Sequence, residues 1–464
     1  MRDLILQLSK SSIYSTKPLY MLPFLSLFWV LAGIVILVVL NLKYKVHNIF
    51  SLLIAGIFVA IMVGIPLEKV VTVIQQGIGS IMGHLALIII FGAIIGKFMT
   101  ESGASQQIAD TVIRHCGTRY LSIGLMFIGV IFGIAMFYEV AFLIAMPLVM
   151  NIAVKANIPY MKLVIPTVVG ATMGHSLFPP QPGPIALISA FNADIVQVYL
   201  YGVVVILPAL YCAGILLPKF LPGINRIPLN SVIKPIEEID SQQLPSFKIS
   251  ILIPLIPAIL MILASVVRPL AGEASILTQV CKLLGSAEIS MLLATFTAIW
   301  FLGVKRGMTA DGITQHVSKS ISQIANVLFV ISAGGILKQV IIDSDVGDSI
   351  VQLMSHVPFS PFIIAWLITA VIRILTGQGA VAAITSAGIV APMIGAFDLN
   401  PALMVLAVAC GSNTITLMYD GGFLLFKETF GISMKDTFKT WGLLELINSV
   451  VGLGMVMLIS QFLD

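Results

Sequence analysis

Apolar runs of about 20 residues, each long enough to cross the hydrocarbon core of a bilayer, recur from one end of this 464-residue chain to the other. The first lies near Pro23 to Leu40 and the last near Trp441 to Leu463. A soluble fold must cover its surface with charge. This chain is 58% hydrophobic and only 10% charged, against roughly 45–50% and 25% in soluble chains. The expectation is an all-α polytopic membrane protein with about 10–14 spans, several of them broken or re-entrant because their apolar runs are short or interrupted. A net charge of +4, scattered along the chain, excludes a nucleic-acid partner. Cys116, Cys212, Cys281 and Cys410 lie far apart with no paired Cys or His spacing. They read as packing residues, and neither a metal nor a cofactor is expected.

Polar stretches divide the chain into an N-terminal segment (1–22), a first transmembrane half (23–218), a linker (219–248) and a second half (249–464). The linker carries Pro222, Pro228, Pro235 and Pro245 with the acidic cluster Glu237, Glu238 and Asp240. At the N-terminus, polar Met1 to Lys17 leads into a run too long for a cleavable signal, so an uncleaved start-transfer helix is expected, with Met21 as an alternative start. Glu101 to Arg119 and Asp343 to His356 keep apolar residues at helical spacing and are expected as interfacial helices.

The two halves repeat each other. Gly92-Ala93-Ile94, Glu101-Ser102 and Ile108 return as Gly334-Gly335-Ile336, Asp343-Ser344 and Ile350, with the same offset each time. Ala145-Met146-Pro147 corresponds to Val390-Ala391-Pro392, Ile158-Pro159 to Asn400-Pro401, and Gly174-His175-Ser176 to Gly411-Ser412-Asn413. Duplicated halves with discontinuous helices are the architecture of secondary transporters, whose site forms near the midplane where the repeats meet.

The breaks are therefore where chemistry is expected, since freed backbone groups persist in a membrane only where protein or a watery cavity satisfies them. One break is Gly174-His175-Ser176-Leu177-Phe178-Pro179-Pro180-Gln181-Pro182-Gly183-Pro184, whose prolines cannot continue a helix. The other is Gly411-Ser412-Asn413-Thr414, running on to Asp420-Gly421-Gly422. Each is expected to present helix-end N–H groups to an anion and side-chain polar groups to its hydroxyls. Arg373 in an apolar run, followed by Gly377, suits a two-point clamp on a carboxylate, or else an internal partner for Glu139 or Asp420. Glu139, a lone carboxyl between two apolar runs, is the candidate proton carrier or else a structural carboxylate at a helix break, and Asp420, beside Gly421-Gly422, is a second candidate or an Asx-type turn stabiliser. The expected substrate site thus comprises His175, Ser176, Gln181, Gly183, Arg373, Gly377, Ser412, Asn413 and Thr414. His84 and Glu445 read as packing residues, and Lys427 and Glu428 as interfacial ones. No Gly-x-Ser-x-Gly, His-Glu-x-x-His or phosphate-binding Gly-rich lysine motif is present, so neither an enzyme nor an ATP-driven pump is expected, an intramembrane enzyme being the lesser alternative to a transporter.

Phe137-Tyr138-Glu139-Val140, Pro179-Pro180-Gln181-Pro182-Gly183-Pro184, Arg373 with its Gly/Ala-rich sequel, and Asp420-Gly421-Gly422-Phe423 with Phe426-Lys427-Glu428 together resemble the gluconate permease (GntP) family of the ion-transporter superfamily. The resemblance spans nearly the whole chain after Asn41. It implies two inverted repeats with re-entrant hairpins, an elevator-like motion, and proton-coupled import of gluconate or a related sugar or hydroxy acid across a bacterial inner membrane. Gln181 stands where the family often has histidine, which opens the choice of acid. Ser412-Asn413-Thr414 is similar to the sodium-binding signature of dicarboxylate relatives, which leaves sodium as the alternative coupling ion and a carboxylate or D-serine-like amino acid as the alternative substrate. The expected partners are a small organic anion and the lipid bilayer, with a homodimer left open.

Overall fold

The computed structural model describes residues 23–117, 119–221, 223, 240, 243–272, 275–344, 359–414 and 420–463. The N-terminal segment, most of the linker, and the second expected interfacial helix beyond Ser344 lie outside the described residues. Within them every regular element is a helix. Seven helices are long and apolar enough to span a membrane, and a further six apolar helices are shorter. At about 1.5 Å per residue, a helix of 15 residues covers only part of a roughly 30 Å core. Such helices must pair across breaks, as expected of interrupted spans.

In chain order the first half contains α1 (Pro23–Leu42), α2 (Asn48–Met62), α3 (Leu67–Glu101), α4 (Ala104–Cys116), α5 (Leu121–Ala135), α6 (Tyr138–Ala156), α7 (Met161–Leu177), α8 (Pro182–Phe191) and α9 (Ile195–Ala209), the last continued by a π-helical stretch to Leu216. The second contains α10 (Phe247–Val267), α11 (Ile276–Leu284), α12 (Ala287–Ala298), α13 (Ala310–Ile342), α14 (Pro361–Thr376), α15 (Gly379–Ala396), α16 (Pro401–Ser412), α17 (Gly421–Phe430) and α18 (Leu443–Leu463), the last entered through a π-helical turn over Phe438–Gly442. The expected interfacial helix of the first half is α4, but its Ala104, Ile108 and Ala109 are fully buried against the bundle.

Several helices in both halves stop in the same way. Asn157 ends α6 and Asp398 follows α15, both in the left-handed conformation, and the same conformation ends α8 at Asn192 and α17 at Gly431. Corresponding helices also make corresponding contacts. Gly170 of α7 lies against the Met126 carbonyl of α5, and Gly411 of α16 against the Trp366 carbonyl of α14. Between the halves the contacts are reciprocal, α8 packing on α15 through Gly183 and Ala383, and α17 meeting α6 where Gly421 approaches Glu139.

Helices α3 and α13 form the centre and run antiparallel. Gly77 lies against Gly335, Ser332 Oγ donates to Met82 Sδ at 3.5 Å, and the Phe98 and His316 rings are 5.9 Å apart. Outward faces are as apolar as the interior. Leu200, Val203, Val204 and Leu207 of α9, and Leu252, Ile259 and Leu263 of α10, are exposed at helical spacing, as a lipid-facing stripe requires.

Candidate functional site

Four helix breaks surround one cavity. The α5–α6 break contributes Phe137, Tyr138 and Glu139, the end of α7 His175 and Ser176, and the α14–α15 break Gly377, Gln378 and Gly379. Ser412, Asn413, Asp420, Gly421 and Gly422 come from either side of the α16–α17 break, and Trp441 and Glu445 from the entry to α18. Gly377 closes α14 with φ of 70°, donating its N–H to Arg373 O at 2.9 Å. This glycine end turns the chain sharply enough for α15 to begin beside the cavity.

Arg373 is 7% exposed, and its Nη2 lies 2.7 Å from Asp420 Oδ2. The other oxygen, Asp420 Oδ1, accepts from Phe423 N at 2.7 Å and so caps α17. Both carboxylate oxygens of Asp420 are therefore engaged. It holds the guanidinium in place. Arg373 Nε has no hydrogen-bond partner among the described residues. The cavity is also met by the first turns of α6, α15 and α17, through Glu139, Gly379 with Ala380, and Gly421 with Gly422. First-turn N–H groups lack intrahelical partners, and the helix dipole makes that end positive. An anion there is favoured both by this field and by the unused guanidinium edge.

Facing these donors are two buried carboxyls with an unpartnered oxygen, Glu139 Oε2 and Glu445 Oε1. Tyr138 OH, Trp441 Nε1 and His175 Nδ1 are also buried without partners. Buried polar atoms are normally hydrogen-bonded, so a cluster of orphans around one cavity points to a ligand rich in donors and acceptors. Ser412 Oγ donates to Ala409 O at 2.8 Å, which leaves its lone pairs for a hydroxyl, and Asn413 Nδ2 reaches only the weak acceptor Met173 Sδ at 3.2 Å.

Of the residues expected from sequence, Glu139, His175, Ser176, Arg373, Gly377, Ser412, Asn413 and Asp420 come together here. Three do not line the cavity. Gln181 Nε2 donates to Ile134 O at 2.9 Å and Met136 O at 3.2 Å, satisfying carbonyls freed at the end of α5. Gly183 belongs to the α8–α15 contact, and Thr414 is buried behind the cavity wall. The proline break also presents no anion-binding helix start, because α8 opens Pro182-Gly183-Pro184 and two of its first three residues have no N–H. Its counterpart α17 opens Gly421-Gly422-Phe423, all of which carry an N–H. Sequence reading took Glu445 for a packing residue and did not assign Trp441, Thr172 or Tyr138 to the site. A signal for Glu445 was present in Asn448 and Ser449, which stand three and four residues on and share its face of an otherwise apolar helix.

The GntP family permease profile matches residues 25–462. This chain belongs to the GntP permease family. A high-affinity gluconate transporter of Escherichia coli is 48% identical over 94% of this chain and 99% of its own length. The gluconate permease of Bacillus subtilis is 37% identical over 92% of this chain and 98% of its own. The Gnt-II system L-idonate transporter of Escherichia coli is 35% identical over 93% and 98%. In fold, this GntP permease is similar to the YdaH transporter of Alcanivorax borkumensis, with a TM-score of 0.61 over 86% of this chain and 90% of that one at 15% identity. It is a multi-pass membrane transport protein and not an enzyme.

Proposed function

We propose that this permease imports gluconate or a closely related sugar acid together with protons. The observation that carries the reading is the cavity itself, in which an unused guanidinium edge and three helix starts face two carboxyls with free oxygens. The first set suits a carboxylate, the second suits protons and hydroxyls, and the gluconate and idonate transporters among its relatives support the sugar-acid class. Arg373 takes the substrate carboxylate and Asp420 holds Arg373. Ser412, Asn413 and His175 meet hydroxyls, and Glu139 exchanges a proton with whichever side the cavity opens to. Purified protein in liposomes is expected to accumulate labelled gluconate when given only an inward proton gradient, and to stop when a protonophore is added. Accumulation driven by sodium alone would overturn proton coupling, and failure to move either gluconate or idonate would overturn the substrate class. Glu139→Gln cannot release a proton, so it is expected to lower the accumulation that a given proton gradient sustains while substrate exchange continues. Unchanged accumulation would make Glu139 structural.

A further inference from the structure

The carboxyl that the sequence left as a packing residue has a chemical role here, and the argument for it rests on the proposed uptake of an anion with protons. Glu445 is 1% exposed, lines the same cavity as Arg373 and Glu139, and has Oε1 without a partner. It stands just after the π-helical turn Phe438–Gly442, a local irregularity frequent at functional sites. Behind it, Asn448 Nδ2 donates to Thr172 Oγ1 at 3.3 Å, while Asn448 Oδ1 is likewise buried without a partner. Two orphaned acceptors one turn apart lack a donor, and a proton on Glu445 supplies one.

The charges facing Glu445 can be counted from every helix packed around it. Helix α6 brings Tyr138 and Glu139, α7 brings Thr172 and His175, α14 brings Arg373, and Asp420 precedes α17. Neither α9 nor α16 carries a charged side chain. Arg373 is already matched by Asp420. A monovalent anion that enters while Glu139 and Glu445 are both ionised therefore joins two further negative charges in one cavity. Like charges so placed repel, and each disfavours the ionised form of the other. Only when both carboxyls are neutral does the entering anion meet no unmatched negative charge.

We propose that Glu445 is a second proton-carrying residue of the transport site, so that each sugar-acid anion crosses with two protons and one net positive charge. With Glu139 alone the cycle would be electroneutral and indifferent to membrane potential.

The test is uptake of labelled gluconate into proteoliposomes, with the pH gradient and the membrane potential set independently. For the unaltered protein, an inside-negative potential of 100 mV is expected to raise accumulation about fifty-fold at a fixed pH gradient, the 2.3 kcal/mol that one charge gains on crossing it. Glu445→Gln is expected to keep its response to the pH gradient and lose the response to potential, while Glu445→Asp keeps both. Unaltered protein that responds to the pH gradient but not to potential overturns the second proton while leaving the proposed function standing. No response to the pH gradient overturns the proposed function itself. A Glu445→Gln protein that keeps the full potential response also overturns the proposal. Infrared difference spectra of substrate binding need no transport. The protonated-carboxyl signal of the unaltered protein should lose one component in Glu445→Gln and show it shifted in Glu445→Asp, and an identical signal in all three overturns the assignment.

Discussion

Arg373 is held by one arm, with Nη2 on Asp420 and Nε unused at the cavity edge. A planar fork can serve both partners at once, whereas an ammonium on a flexible stem cannot. Arg373→Lys is therefore expected to weaken gluconate binding by roughly ten- to a hundred-fold, the worth of one hydrogen bond to a charged group. Calorimetric or fluorescence titration of the purified variant checks this, and unchanged affinity in a folded protein would remove Arg373 from contact with substrate. At this scale the sequence was informative about which residues are chemically expensive. A guanidinium or carboxyl in an apolar run must be paired or used, and Glu139, Arg373 and Asp420 all reach the cavity. Their division of labour was not legible. Asp420 became a clamp because its two oxygens meet a helix start and a guanidinium from separate elements, a coincidence in space with no counterpart along the chain.

Among helices, the tightest seam joins α5 to α7. Gly129 lies against Thr167 O, Gly133 against Ala171 O, Gly170 against Met126 O and Gly174 against Val130 O. Residue numbers rise together along both helices, so they are parallel, and two glycines four apart on each let backbone meet backbone. A side chain at Gly170 has nowhere to go, because the obstructing atoms are carbonyls and not flexible side-chain ends. Gly170→Val is expected to destabilise the protein by about 1–3 kcal/mol or more through overpacking. Gly79→Ala is the control, since a Cβ there meets nothing within 4 Å, and relief of glycine's helix penalty should add up to about 1 kcal/mol. Thermal unfolding of both variants in detergent reads the difference, and a neutral Gly170→Val would refute the close seam. The four-residue glycine spacing is visible in the sequence, but its partner helix, and its recurrence where Gly411 meets Trp366 O, depend on packing.

Across the whole molecule, α3 and α13 occupy equivalent places in the two halves yet run antiparallel, the relation that an inverted duplication produces. Exposed Lys69 near the start of α3 and exposed Asp311 near the start of α13 are then expected on opposite sides of the membrane. Single cysteines at these positions, in a background with Cys116, Cys212, Cys281 and Cys410 replaced, should be labelled by an impermeant maleimide from opposite faces. Labelling of both from one face would sink the inversion. Membrane residence and helical class follow from the sequence by itself, because apolar run length and the order of Pro, Gly and polar breaks are local properties that a bilayer reads directly. Which breaks converge was decided only by the tertiary structure. Gln181 and Asp420 precede corresponding helices, yet Gln181 is spent on backbone carbonyls of α5 while Asp420 clamps Arg373 at the cavity. Glu445 acquires a role only because α18 brings it beside Arg373 and Glu139. Burial and charge balance belong to neighbours brought together by folding, and no window of sequence contains them.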